Sequence, residues 1–154
     1  MAVGILTIPR PVILAPEFVL AGALTIALDA WTKRLVGARL RVGQSVALAR
    51  HVSIRHLRIS GASPRSRREL ALWLAALGAI AGVVALLSST GVFFQHPAAQ
   101  AGLGAAMGGA ASNLHDRGRD GSIVDFMSVG WWPPFNFADV GIVAGVAVAV
   151  LLVR

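Results

Sequence analysis

The segment that decides the reading runs Gly108-Gly109-Ala110-Ala111-Ser112-Asn113-Leu114-His115-Asp116-Arg117, then Ile123-Val124-Asp125-Phe126, then Trp131-Trp132-Pro133-Pro134-Phe135-Asn136-Phe137-Ala138-Asp139. It opens on small residues, passes through acids and amides, and turns at a Trp and Pro cluster of the kind favoured at a membrane interface. Asn113 and Arg117 stand four apart, so a helix continued to Arg117 places both on one face, where they can hold a carbonyl or a carboxylate. Asp125 is expected in a loop and Asp139 just inside the next helix. The connection between them is short enough for the two acids to meet.

Working outward, the chain of 154 residues is 56% hydrophobic and only 14% charged. Soluble proteins carry about 25% charged residues, so too little polar surface is present to cover a water-facing core. Four apolar segments of spanning length follow: 11–31, 70–87, 97–114 and 137–153. In the first, Pro16 and Glu17 mark a regular helix start, with proline in the first turn and an acid near the positive end of the dipole. Ala21-Gly22-Ala23 offers a signal-peptidase-like small-residue site, but the apolar run continues past it, so an uncleaved span is expected. Gly78 and Gly82, Gly104 and Gly108, and Gly141 and Gly145 stand four apart in the later segments, a spacing that lets helix backbones approach closely in lipid. The expected fold class is therefore an all-α polytopic membrane protein in a single membrane-embedded domain over 1–154.

Between the first two spans, the loop 37–68 is rich in arginine. Val46, Leu48, Val52 and Ile54 share one parity, which predicts a strand with one apolar face and hence a small β-rich unit on the membrane surface. His51 and His56 read as surface histidines. Cysteine is absent, and no His, Cys or carboxylate cluster has metal-ligand spacing, so neither a metal nor another cofactor is expected. The net charge of +7 has no aromatic interleaving or nucleic-acid fold motif beside it, which favours lipid phosphate over nucleic acid as the basic partner.

With four spans, Asp29, Lys33, Asn113, Asp116, Arg117, Asp120, Asp125, Asn136 and Asp139 all fall on the same face of the membrane. Five carboxylates where four helices surface point to a site, because acids at membrane depth are costly unless paired or used. Two adjacent carboxylates cannot both ionise cheaply. They share a proton, and one can act on a water as base while the other acts as acid. That is amide hydrolysis without metal or covalent intermediate. A plainer reading stands beside it: Asn136 as N-cap and Asp139 three residues on form a capping-box pattern, Asp125 is a solvated loop acid, and Asp29 with Lys33 is an i,i+4 helical pair.

These residues resemble the lipoprotein signal peptidase family, signal peptidase II. The resemblance rests on Leu28-Asp29-Ala30-Trp31-Thr32-Lys33, on Gly109 to Arg117, and on Val124-Asp125-Phe126 with Phe135-Asn136-Phe137-Ala138-Asp139. It implies an aspartic peptidase of the bacterial inner membrane that cuts diacylglyceryl-modified prolipoproteins before the lipidated cysteine, its active site extracytoplasmic, acting as a monomer among membrane lipids. It implies that Asp125 and Asp139 are catalytic, with Asp29, Lys33, Asn113, Asp116, Arg117 and Asn136 binding or supporting around them. The family's Asn-x-Gly-Ala-Ala-Phe element aligns with Arg58-Ile59-Ser60-Gly61-Ala62-Ser63, placing Ile59 where asparagine is expected. The implied topology also leaves Arg10 and Arg154 inside and twelve basic residues outside, against the positive-inside tendency. The altered first-loop element motivates an alternative, a non-catalytic membrane module that binds lipid-modified proteins or signal peptides.

Overall fold

A computed structural model describes residues 15–59 and 67–153. The order is α1 (Pro16–Arg39), β1 (Ser45–Ala49), β2 (Val52–Ile59), α2 (Arg67–Ser89), α3 (Pro97–Asp120), β3 (Ile123–Val129) and α4 (Phe137–Leu151). The stretch before residue 15, including the expected start of the first span, and most of the altered loop element lie outside the described residues.

The helix ends follow from local chemistry. α1 begins at Pro16 with Glu17 in its first turn, as the sequence predicts. α3 opens with Pro97, and His96 Nδ1 accepts the Ala98 N–H at 3.1 Å. It closes at Gly121, whose φ of 65° places it in the left-handed region that glycine enters without steric cost. The chain then turns directly into β3.

α3 is the central helix, packed between α1 and α4, and glycine makes this packing close. A Cβ on Gly104 would strike the Phe18 backbone, and one on Gly108 would meet Gly22 O at 2.5 Å. On the other side, Gly102 faces Gly145 and Gly109 faces Ala138. The Gly104/Gly108 and Gly141/Gly145 pairs therefore pack as expected, with Gly141 against Thr25 and Ala105. Gly78 and Gly82 do not: among the described residues no atom lies within 4 Å of where their Cβ atoms would be, and α2 touches α3 alone of the other elements.

The loop after α1 forms a β1–β2 hairpin, and Val46 pairs with Ile54 across it. Val46, Leu48, Val52 and Ile54 all line one cavity, so the shared parity marks two strands rather than one. The sequence does not anticipate β3, which pairs antiparallel with β2 and completes a sheet of order β1-β2-β3. Asp125 consequently lies on a strand opposite Leu57, not in a loop. Backbone pairing fixes its position, which a free loop would not.

Two further expectations are corrected. α1 continues past Trp31 to Arg39, because Thr32 to Arg39 contains no proline, Gly37 is accommodated within the helix, and the cap comes only at Leu40. His56 is buried at a register shift in β2, and its Nδ1 bonds the Leu40 carbonyl oxygen at 2.7 Å, tying the hairpin to the end of α1. Among the described residues no helix is long and apolar enough to cross a membrane. α4 has 15 residues, about 22 Å at helical rise, and α1 carries Glu17, Asp29 and Lys33 along its length.

Candidate active site

The site forms where the N-terminus of α4 meets α1, α3 and β3. Asn136 is fully buried at its centre. As N-cap of α4, its side-chain oxygen accepts the Asp139 N–H at 3.0 Å, while Asp139 Oδ2 accepts the Asn136 N–H at 3.0 Å. This is the capping box that the sequence predicts, and it satisfies two backbone donors that would otherwise have no partner at the helix start. The same Asn136 also donates from Nδ2 to Asp125 Oδ1 at 2.7 Å. The residue that caps α4 is thus also the one that holds Asp125, a buried strand acid bonded by an amide.

Asn113, on α3, completes the bracket. Its Nδ2 donates to Asp139 Oδ1 at 2.8 Å, and its Oδ1 accepts from Asn136 Nδ2 and from Lys33 Nζ, each at 3.2 Å. Both Asp139 oxygens therefore accept N–H hydrogen bonds, whereas Asn136 is the one described side chain that donates to Asp125. The Asp125 carboxyl is pushed up from the ordinary 3.8 to about 6, chiefly by burial and then by the negative charge of Asp139. The Asn136 hydrogen bond and the Lys33 charge pull the other way, and Asp29 adds a smaller upward push.

A second layer holds the first. Asp29 is fully buried, and its Oδ1 accepts the Ala138 N–H at 3.0 Å, so a carboxylate of α1 caps the first turn of α4 from outside. Its Oδ2 accepts from Ser112 Oγ at 2.7 Å and from Lys33 Nζ at 2.5 Å. Lys33 then reaches Asp116 at 2.6 Å. The Asp29–Lys33 spacing is the expected i,i+4 pair, but it is a buried part of the site rather than a solvated surface pair.

Seven of the expected residues thus converge: Asp29, Lys33, Asn113, Asp116, Asp125, Asn136 and Asp139. Arg117 lies a turn beyond Asn113 and lines a separate cavity with it, against Leu77 and Ile80 of α2. Asp120 stands apart, half exposed, 3.8 Å from Arg119. Sequence reasoning missed Ser112 and the Ala138 N–H. Ser112 is a hydroxyl in a run of glycine and alanine, one turn before Asp116, and that isolation was the available signal. Among the described residues no group of three or more His or carboxylate side chains is placed to hold a metal ion.

This architecture is that of a bacterial membrane enzyme already solved, which superposes with a TM-score of 0.73 at 21% identity, over 90% of this chain and 92% of the other. The signal peptidase II family model matches residues 21–153, and the chain belongs to that family, a family of peptidases. Relatives named lipoprotein signal peptidase include one from Rhodococcus jostii, 41% identical over 144 residues that cover 88% of this chain and 70% of the relative. Another, from Oleidesulfovibrio alaskensis, is 35% identical over 136 residues covering 82% and 86%.

Proposed function

We propose that this peptidase removes signal peptides from diacylglyceryl-modified prolipoproteins, with Asp125 and Asp139 as its catalytic pair. The bracket of Asn136 and Asn113 carries the reading, because Asn136 donates to Asp125 from its side chain and to Asp139 from its backbone, and the two acids are left unlike each other. Asp125, with its raised affinity for a proton, takes the acid's role when the pair carries a single proton. Asp139, with an N–H donor on each oxygen, is the carboxylate.

In the first step Asp139 takes a proton from a water whose oxygen attacks the scissile carbonyl carbon, and Asp125 gives its proton to the carbonyl oxygen. In the second the resulting diol collapses. The C–N bond breaks, Asp139 returns a proton to the leaving nitrogen, and a diol hydroxyl restores the proton of Asp125. Asp29, Lys33, Asn113, Asp116 and Asn136 hold this geometry, and Arg117 belongs to the substrate side of α3. No metal or other cofactor takes part in this reading.

The chain is read as one domain whose four helices cross the bacterial inner membrane together, with the site at the outer surface. The distribution of side chains supports this. Leu20, Leu24, Leu86, Val143 and Leu151 are each more than 60% exposed, while the buried positions are largely small or polar, among them Ala99, Ala138, Ser112 and Asn136. Lipid-facing large residues around small-residue helix contacts are what a bilayer selects. The protein acts as a monomer on a substrate delivered through lipid.

The test is cleavage of a prolipoprotein reporter by Asp125→Asn and Asp139→Asn proteins that retain wild-type expression and helicity. Loss of cleavage in both is expected, and normal turnover by either variant would refute the pair. Binding of lipopeptide without turnover by the wild type would leave the non-catalytic module as the better account.

A further inference from the structure

A cavity of about 640 Å³ lies beside the dyad, between the last turns of α1 and the apolar face of the sheet. Its walls include Val36, Leu40, Leu48, Ile54, Phe126 and Phe137, and no acid lines it. Arg39 is the one charged residue in the lining, and it is exposed. Among the described residues its guanidinium has no acidic partner.

We infer that this cavity holds an acyl chain of an anionic phospholipid, whose phosphate lies against Arg39. The size falls within the range of ligand pockets, about 300–1,000 Å³, and the apolar lining suits hydrocarbon. The charge chooses among lipids. A guanidinium binds phosphate oxygens in a bidentate fork, and the Arg39 guanidinium in the lining, with no acidic partner among the described residues, attracts a net-negative headgroup over a zwitterionic one. The diacylglyceryl group of a prolipoprotein carries no phosphate and gains nothing from that rim.

The lipid would also bear on the dyad. Phe126 follows Asp125 on β3, and Phe137 follows Asn136 at the start of α4. Their rings meet at a centroid distance of 6.0 Å. Filling the cavity steadies the wall formed by the two segments that carry the carboxylates. The inference rests on the reading that the hairpin lies at the membrane surface, but lipid retention is measured without turnover, so it can fail while the peptidase reading stands, and the reverse.

The experiment is native mass spectrometry of the full chain released from bilayers of mixed phosphatidylcholine and phosphatidylglycerol. A single retained phosphatidylglycerol is expected, with about a fivefold loss of retention in Arg39→Gln, which keeps the apolar stem. Leu48→Trp, which fills the cavity, is expected to abolish retention, and the two variants test rim and cavity separately. Equal retention of phosphatidylcholine, retention of neither lipid, or unchanged retention in both variants would overturn the inference. So would displacement of the bound lipid by a diacylated lipopeptide in stoichiometric amount, since the cavity would then belong to the substrate.

Discussion

Replacing Asp125 with asparagine should abolish cleavage and at the same time stabilise the protein above pH 6. Folding raises the Asp125 carboxyl from 3.8 to about 6, roughly two decades in proton affinity at about 1.4 kcal/mol each, or about 3 kcal/mol. The sign follows from the direction. An acid whose folded value is raised contributes its full stability below pH 3.8 and loses it as pH rises through 6, because the ionised form is less comfortable in the fold than in the unfolded chain. Asparagine keeps the side-chain oxygen that accepts from Asn136 Nδ2, and it carries no charge for burial and Asp139 to oppose. The gain of the variant over wild type should therefore be near zero at pH 4 and approach about 3 kcal/mol by pH 7.5. In a domain of this size that is about 6–12 °C in apparent melting temperature. Thermal unfolding in detergent at a fixed scan rate, repeated across that pH range, gives the comparison. A difference that does not change with pH, or a variant less stable than wild type at pH 7.5, would refute the argument that burial and the Asp139 charge act on Asp125.

Asp29→Ala should cost about 1–3 kcal/mol and lower activity, since the Ala138 N–H loses its acceptor while Lys33 keeps Asp116 and Asn113 as partners; denaturation midpoints and the cleavage assay measure the two effects. Gly108→Val should prevent stable folding, because the added atoms meet the Gly22 backbone, and a thermal scan reads the loss. Gly78→Ala, made in the same helical geometry but facing open space, should be neutral or stabilise by up to about 1 kcal/mol. A similar loss in both glycine variants would contradict the assignment of packing roles.

The residues that decide the site were legible because polar chemistry in an apolar chain is conspicuous. Asn136 and Asp139 announce a capping box by spacing alone, and Asp29 and Lys33 share a helix face at i,i+4. β3 was not legible, since a short run with an aspartate in it looks like a loop until β2 supplies a partner; only the tertiary pairing makes Ile123–Val129 a strand. The glycine spacing of α2 matches that of α3 and α4, yet its glycines face open space. Periodicity identifies a face that permits close approach without saying whether a neighbour arrives. His56 was misplaced for a related reason. Its burial comes from the bulge in β2 and the Leu40 carbonyl, features that depend on how the hairpin folds back.

Asn136 caps a helix and contacts two acids, one through its side chain and the other through its backbone N–H. On the proposed reading of Asp125 and Asp139 as the catalytic pair, both acids are held by one residue as the chain folds, and an arriving peptide has no need to draw them together. The reorganisation that a floppy pair would require at every turnover is settled during folding, so sequence change at the start of α4 should alter rate before it alters which peptides are accepted.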